Sequence, residues 1–175
     1  TDRTQRKETS IDSMNVTTFS QPRSERYFED YVVGGVYEFG KAIVTQAEII
    51  EYAKQFDPQP FHIDPEAAER SIYGGIIASG WHTGSITMRL LVDHFVSTVA
   101  GLGSPGMDEL RWLKPVRPGD ELAVRITVLE ARRSNSRPDR GILKTLGETL
   151  NQNREVVMEM KSANFVSCRD AGNQQ

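Results

Sequence analysis

One stretch of the chain constrains its fold more than any other. Residues 85–99 place apolar side chains on nearly every face of a helix, and only Arg89 and Asp93 within it carry a formal charge. A helix that is apolar all round is buried on most of its sides. The chain has 175 residues, enough for one domain with a substantial core, so another layer must wrap around this helix.

The residues that follow this helix predict strands that can supply the layer. Residues 107–114 end at Pro115, and the runs 121–131, 141–151 and 155–168 are separated by short polar turns. Alternation of apolar and polar residues within these runs is typical of strands with one buried face. Consecutive antiparallel strands after one buried helix indicate an α+β protein whose curved sheet wraps around a long central helix.

Smaller elements are predicted before the central helix. Residues 37–44 alternate as a strand does, and Thr45 and Glu48 form a capping box at the start of a helix over residues 46–56. A second short helix begins at Pro65, since proline is favoured at the first helical position.

The two ends of the chain differ from its middle. Residues 1–26 mix charges with Ser, Thr and Gln and contain no apolar signal-peptide core, so we expect a flexible N-terminal arm, within which Met14 is a candidate native start. Residues 169–175 are predicted to form a flexible tail. Between them, residues 27–168 show no internal linker and no repeat, which predicts a single domain.

Composition excludes several classes of function. Lys and Arg number 21 against 24 Asp and Glu, a net charge of −3, so we expect no nucleic-acid partner. No apolar run reaches the ~18 residues of a membrane span, so no membrane partner is expected either. The single cysteine, Cys168, excludes a disulfide framework and a four-cysteine zinc site. It suits a reducing compartment, and we expect a cytoplasmic protein.

Three segments carry a resemblance to a known family. Residues 57–64, Asp-Pro-Gln-Pro-Phe-His-Ile-Asp, resemble the signature of the MaoC-like, (R)-specific enoyl-CoA hydratases, which have the hot-dog fold. Residues 76–80 resemble the family's turn into its central helix, and residues 110–120 resemble the strand and turn that follow that helix. The resemblance spans about residues 30–168, and it implies a hot-dog fold for this chain.

The resemblance implies a catalytic dyad of Asp57 and His62, with Asp57 at a helix end and His62 on a loop stiffened by proline. Adding water to an enoyl thioester needs a base, an acid and a donor to the developing oxyanion. We expect the backbone N–H of Gly80, at the start of the central helix, to be that donor. The predicted substrate-binding residues are Gln59, Pro60, Phe61, Ser79 and Trp81.

The chain departs from the family pattern at two positions. The amide residue of the motif is typically Asn and here is Gln59. The small polar residue that helps hold the dyad is expected inside the central helix, where Met88 stands here. Other interpretations of single residues stay open: Asp57 could close an Asx turn, and His62 could be a buried histidine bonded to a carbonyl. Asp64 is better explained as a helix N-cap.

The sequence therefore predicts an enzyme that hydrates a 2-enoyl-CoA to the (R)-3-hydroxyacyl-CoA, or catalyses the reverse. Coenzyme A would be part of the acyl-CoA substrate, and no cofactor is expected. No metal is expected, because His82 and His94 are the only other histidines and neither forms a ligand pair. An arginine-rich turn over residues 132–140 is either a solvated hairpin end or a contact for coenzyme A phosphates.

Two other functions remain alternatives. A hot-dog thioesterase would need a carboxylate on or near the central helix, where only Asp93 is available. A non-catalytic acyl-CoA-binding subunit would keep the fold without the turnover. In each case a half-sheet wrapped on one helix leaves an exposed edge, so we expect a homodimer or a dimer of dimers. The resemblance implies an acyl tunnel at or near the subunit interface.

Overall fold

The computed structural model describes residues 16–170. Two short 3-10 helices, Arg23–Glu25 and Phe28–Asp30, precede the main elements. In chain order these are β1 (Val36–Ile43), α1 (Gln46–Phe56), α2 (Pro60–Ile63), α3 (Pro65–Glu69), α4 (Gly80–His94), β2 (Gly106–Trp112), β3 (Glu121–Arg133), β4 (Arg140–Leu150) and β5 (Val156–Ser167). No helix in this range is long and apolar enough to cross a membrane. Residues 1–15 and 171–175 lie outside the described part of the chain, including Met14 and most of the predicted tail.

A five-stranded sheet in the order β1-β3-β4-β5-β2 wraps around α4, and every neighbouring pair is antiparallel. Alternate side chains of β3 point toward the helix and are fully buried, as their spacing predicts: Leu122, Val124, Ile126 and Val128. Helix α4 contributes Leu90 and Leu91 to the same core. The predicted α+β arrangement of a curved antiparallel sheet around a central helix is therefore confirmed.

Close contact between α4 and β1 depends on a glycine. Gly40 has a φ of +88° and lies in an irregularity of the β1–β3 pairing between Phe39 and Ala42. A Cβ at this position would lie 2.8 Å from a methyl carbon of Leu90. The missing side chain thus allows both the bend in the strand and the approach of the helix.

The central helix starts earlier and ends earlier than the apolar stretch over residues 85–99. It runs from Gly80 to His94, and only one side of it faces the sheet. On the other side Trp81, Met88 and Val92 are exposed, and Met88 keeps 50% of its surface. The expectation that the helix is buried on most sides is therefore wrong for the single chain, because the sheet covers one face only.

The domain also begins earlier than predicted. The sequence predicts a flexible arm over residues 1–26, yet within it Phe19 stacks on Tyr37 with ring centroids 4.1 Å apart, and Thr17 N–H donates to the carbonyl of Val36. Arg26 is buried, with its guanidinium 3.4 Å from the centre of the Phe19 ring. The polar composition of the segment concealed these anchors, and the packed region extends at least to residue 17.

Candidate active site

Helix α1 delivers Asp57 to the end of a rigid element. Its start has the predicted capping box, in which Thr45 and Glu48 each bond to the other's backbone N–H. At its other end Asp57 is the C-cap residue, and its N–H donates to the carbonyl of Ala53 at 2.9 Å. Pro58 follows and prevents the helix from continuing. The carboxylate of Asp57 is therefore fixed at the point where the chain turns.

His62 lies on α2, a single helical turn, and not on an irregular loop as predicted. Pro60 occupies the first position of this turn and Gln59 is its N-cap residue, so proline starts the turn instead of preventing it. The predicted cap role of Asp64 is confirmed, since its Oδ1 accepts the N–H groups of Glu66 and Ala67. Two short helices joined at Asp64 thus hold His62 in place.

The ring of His62 is buried, and its two nitrogens have different partners. Nδ1 lies 2.7 Å from the carbonyl oxygen of Ile77. A carbonyl only accepts, so Nδ1 carries the hydrogen of the neutral ring and Nε2 has a free lone pair. Nε2 lies 3.4 Å from Oδ2 of Asp57. This arrangement directs two proton acceptors, the carboxylate and the imidazole nitrogen, toward one point.

Hydrogen bonds keep Asp57 ionised. Ser79 Oγ donates to Oδ2 and Gln59 Nε2 donates to Oδ1, both at 2.7 Å. These donors, Ser79 first and Gln59 second, hold the pKa of Asp57 below its ordinary value. Gln59 therefore does contact the dyad, with the longer side chain reaching back to the residue two positions earlier.

A hydroxyl holds the dyad, but it is not where the resemblance placed it. Met88 lies on the exposed side of α4. Ser79, which was predicted to contact substrate, is completely buried and bonds Asp57 instead. The departure at Met88 therefore does not leave Asp57 without a hydroxyl partner, because Ser79 at the N-cap of α4 supplies one.

Gly80 is the first residue of α4, as predicted. The first N–H groups of a helix have no acceptor within it, and within residues 16–170 the Gly80 N–H has none elsewhere. The indole of Trp112 lies against Gly80, where an added Cβ would overlap the ring, and its Nε1 donates to the Gly80 carbonyl at 2.8 Å. Glycine is thus required by packing, while its N–H stays available.

These groups line an open cavity of about 450 Å³, which we call the dyad pocket. Of the residues predicted to bind substrate, Gln59, Phe61 and Trp81 line it, whereas Pro60 and Ser79 do not. Other wall residues come from distant segments and were not predicted, among them Tyr73, Trp112 and Lys114. Pairing of β2 with β5 places Trp112 there, a tertiary contact without a local signal.

The arginine-rich turn lies at the far end of β3 from the dyad pocket. Arg133 pairs with Glu29 at 2.8 Å and Arg140 with Asp139 at 2.8 Å. These contacts support the interpretation as a hairpin end. His82 is buried against the ring of Tyr52, with centroids 4.6 Å apart. No group of three or more potential metal ligands lies close together in the part of the chain that the structure describes.

A curved antiparallel sheet wrapped around one long helix defines the hot-dog class, and solved (R)-hydratases share this architecture. PhaJ1 from Pseudomonas aeruginosa superposes with a TM-score of 0.65 over 82% of this chain and 86% of its own, and at 21% identity it shows the fold alone. The MaoC-like dehydratase from Rhodospirillum rubrum has a TM-score of 0.75 and 46% identity, over 82% of this chain and 98% of its own.

The chain belongs to the MaoC-like domain family, whose model matches residues 30–149. The uncharacterized protein YdeM of Bacillus subtilis is 32% identical over 131 residues, which cover 75% of this chain and 92% of YdeM. A 3-hydroxybutyryl-CoA dehydratase of Methylorubrum extorquens is 30% identical over 111 residues, which cover 59% of this chain and 64% of that protein. The predicted family is confirmed: it is one of hydratases and dehydratases.

Proposed function

We propose that the protein adds water to a 2-enoyl-CoA to give the (R)-3-hydroxyacyl-CoA, or catalyses the reverse dehydration. The observation that carries the proposal is the convergence of the Asp57 carboxylate and Nε2 of His62, 3.4 Å apart, at a pocket that also contains the N-terminus of α4. Similarity to a 3-hydroxybutyryl-CoA dehydratase supports a coenzyme A thioester as substrate.

The dyad positions the water. One hydrogen of the water bonds to Asp57 and the other to Nε2 of His62, which leaves an oxygen lone pair for attack. As the oxygen bonds to C3 of the substrate, Nε2 takes a proton from the water. The ionised carboxylate of Asp57 stabilises the resulting imidazolium, and the bond from Nδ1 to Ile77 keeps the ring oriented.

The helix terminus stabilises the electrons that the attack displaces. The pair of the C2–C3 double bond moves toward the thioester and places negative charge on its oxygen. The N–H of Gly80, reinforced by the dipole of α4, binds that oxygen. The imidazolium then gives its proton to C2, the thioester carbonyl reforms and His62 returns to its starting state. The substrate gains one water, and no redox cofactor takes part.

The two alternatives have less support. Asp93, the carboxylate that a thioesterase would use, pairs with Arg89 at 2.8 Å and lies outside the dyad pocket. Asp93 lies thirteen helical steps beyond Gly80, about 20 Å along the axis. The departures at Gln59 and Met88 would favour a non-catalytic subunit if they left the dyad without support, yet Gln59 bonds Asp57 and Ser79 supplies the hydroxyl.

We further propose a homodimer, or a dimer of such dimers. A set of exposed apolar residues on α4 and along β2, called the α4–β2 face here, comprises Trp81, Met88, Val92, Met107, Trp112 and Leu113. β2 is an edge strand of the sheet. A second copy that covers this face would bury the apolar surface and pair the edge.

We also propose that the protein is cytoplasmic. This location is supported by Cys168, the only cysteine of the chain, which is buried as a free thiol. Reducing compartments favour that state.

The direct test follows the loss of enoyl-thioester absorbance after mixing the protein with crotonyl-CoA. Asp57→Asn keeps the shape of the side chain but cannot hold a negative charge, and we expect its turnover to fall about 10²–10⁴-fold. Asp93→Asn, which removes a carboxylate outside the dyad pocket, is the matched control and should retain activity. Hydrolysis of the thioester would also remove this absorbance, so free thiol is measured in parallel: absorbance loss accompanied by thiol release would identify a thioesterase instead.

A further inference from the structure

A second cavity, of about 200 Å³, lies between the C-terminal half of α4 and the sheet. Its walls are mainly apolar, with Leu91, Phe95, Ile126 and Met160 among them. It shares no lining residue with the dyad pocket. Apolar cavities of about 150 Å³ in proteins accept a molecule the size of benzene. This distal cavity is therefore large enough for the end of a hydrocarbon chain.

Among the polar side chains of this wall, Ser97 and Ser104 bond to backbone carbonyls. Three others lie together on the sheet, Thr145 of β4 and Ser162 and Asn164 of β5, called the polar trio here. They occupy sheet positions that face α4, where apolar residues are the rule. Asn164 Nδ2 lies 3.2 Å from Ser162 Oγ and 3.5 Å from Thr145 Oγ1, and the two hydroxyls are 3.3 Å apart. The trio is thus one connected network at the cavity wall.

Within the described residues, the polar trio has one hydrogen-bond donor and one acceptor without a partner. Nδ2 of Asn164 donates to both hydroxyls, and one hydroxyl donates to the other. One hydroxyl hydrogen and the Asn164 carbonyl oxygen then remain without a partner among residues 16–170. One donor beside one acceptor matches a hydroxyl group, which itself donates and accepts. No charged side chain lines the distal cavity, so a carboxylate does not fit.

The α4–β2 face connects the two cavities. Trp81 and Trp112 line the dyad pocket, while Met88 and Met107 line the distal cavity. Met88 follows Trp81 by two helical turns on the same side of α4, about 10 Å along the axis. An acyl chain that leaves the dyad pocket along this face reaches the mouth of the distal cavity over apolar surface, between this chain and the second copy proposed to cover the face.

We propose that the distal cavity binds the far end of the acyl group and that the polar trio recognises a hydroxyl carried there. This inference rests on the proposed function and narrows the substrate class to medium-chain acyl thioesters with an uncharged polar terminus. The hydroxyl hydrogen of the trio bonds to the ligand oxygen, and the ligand hydroxyl donates to Asn164 Oδ1.

Binding of saturated thioesters tests the inference without requiring catalysis. Calorimetry would compare hexanoyl-, octanoyl- and decanoyl-CoA with their ω-hydroxy counterparts, which contain no double bond to hydrate. We expect the wild type to favour one ω-hydroxy ligand, and Asn164→Leu to reduce that preference about fivefold to tenfold. Thr149→Val is the matched control, because this buried threonine faces α4 beside Thr87 and lies outside the distal cavity.

The outcomes separate this inference from the proposed function. If the wild type and Asn164→Leu prefer the ω-hydroxy ligand over its unsubstituted counterpart to the same degree, the polar-trio site is overturned, even if crotonyl-CoA is hydrated. Loss of the preference in Thr149→Val as well overturns it too, since the effect would then be general. A preference that disappears only in Asn164→Leu supports the site, and absence of hydration in that case counts against the proposed reaction alone.

Discussion

The terminal backbone groups of α4 are hydrogen-bonded differently at the two ends of the helix. At its C-terminus Arg26 donates to the carbonyls of His94 and Phe95 at 3.2 and 2.8 Å, and Tyr31 Oη donates to Phe95 as well. At its N-terminus Ser79 caps the backbone N–H of Trp81, yet it gives its own hydrogen to Asp57. The backbone groups at one end are bonded by buried side chains, while the Gly80 N–H at the other is left for a ligand.

This difference separates stability from chemistry within a single helix. The C-terminal end gathers Phe19, Tyr31, Tyr37 and Phe95 into one aromatic cluster around the buried Arg26. The N-terminal end has an open pocket and the partly exposed Trp81 and Trp112. We therefore expect changes at the N-terminal end to alter turnover, and changes at the C-terminal end to alter unfolding.

Among changes at the two ends of α4, the largest effect is expected when the free N–H of Gly80 is removed. Gly80→Pro deletes the donor while keeping a residue suited to the first position of a helix, and Ser79 has the extended backbone that proline requires before it. Gly80→Ala adds a Cβ against Trp112 and keeps the N–H. We expect turnover of Gly80→Pro to be about 10²–10³-fold below that of Gly80→Ala. Equal turnover would exclude the oxyanion role.

The second-largest effect is a loss of stability at the C-terminal end of α4. Arg26→Leu removes the hydrogen bonds to the last carbonyls of α4 and the contact with the Phe19 ring. The free energy of unfolding should fall by about 2–3 kcal/mol in urea titrations, because hydrogen bonds from a charged donor are lost. Arg132→Leu, at an exposed position, is the control and should change little. Turnover per folded molecule should stay near wild type; a parallel loss would contradict the division of roles.

A smaller effect concerns the pH dependence of kcat/KM, which Ser79 influences through Asp57. Ser79→Ala removes the first of the two donors that lower the pKa of Asp57, so that pKa should rise toward its ordinary value. Because the ionised form is needed, the acidic limb of the kcat/KM profile should move to higher pH. The rate loss should be about threefold to tenfold and greatest in acid. Ser85→Ala, in the same helix but outside the dyad pocket, should leave the limb in place.

The smallest effect concerns the pH dependence of stability at His82, which packs against Tyr52 of α1. Burial lowers the pKa of His82, and its Nδ1 has no partner in the described structure. Below about pH 6.5 the unfolded chain takes up a proton more readily than the folded one, so stability falls as pH falls. His82→Phe keeps the stacking on Tyr52 and removes the titration. Between neutral and acidic pH, the Tm of His82→Phe should decrease by about 2 °C less than the Tm of the wild type.

The local features of the site could be predicted from the sequence. The positions of Asp57 and His62 follow from the resemblance of residues 57–64 to the family motif, and that of Gly80 from the resemblance of residues 76–80 to the turn before the central helix. The capping box of α1 and the cap role of Asp64 are equally local. These features depend on residues within a few positions of one another, which is the range over which capping and turn chemistry act.

What the sequence did not predict depends on contacts between distant segments. Ser79 meets Asp57 across 22 positions, and Trp112 meets Gly80 across 32. Only the packing of α4 against α1 and β2 creates those pairs. The one-turn helix that carries His62 was missed for another reason: prolines at positions 58 and 60 suggested a break, although the second begins a new turn.

The placement of the two tryptophans gives the protein an internal optical probe. Trp81 and Trp112 are the only tryptophans of the chain, and both line the dyad pocket with ring centroids 5.3 Å apart. Intrinsic emission thus reports the surroundings of the dyad and not the sheet as a whole. A thioester entering the pocket should change that emission without any label. During denaturation the same signal follows the pocket, while circular dichroism follows the sheet, so the two transitions together show whether the dyad region opens first.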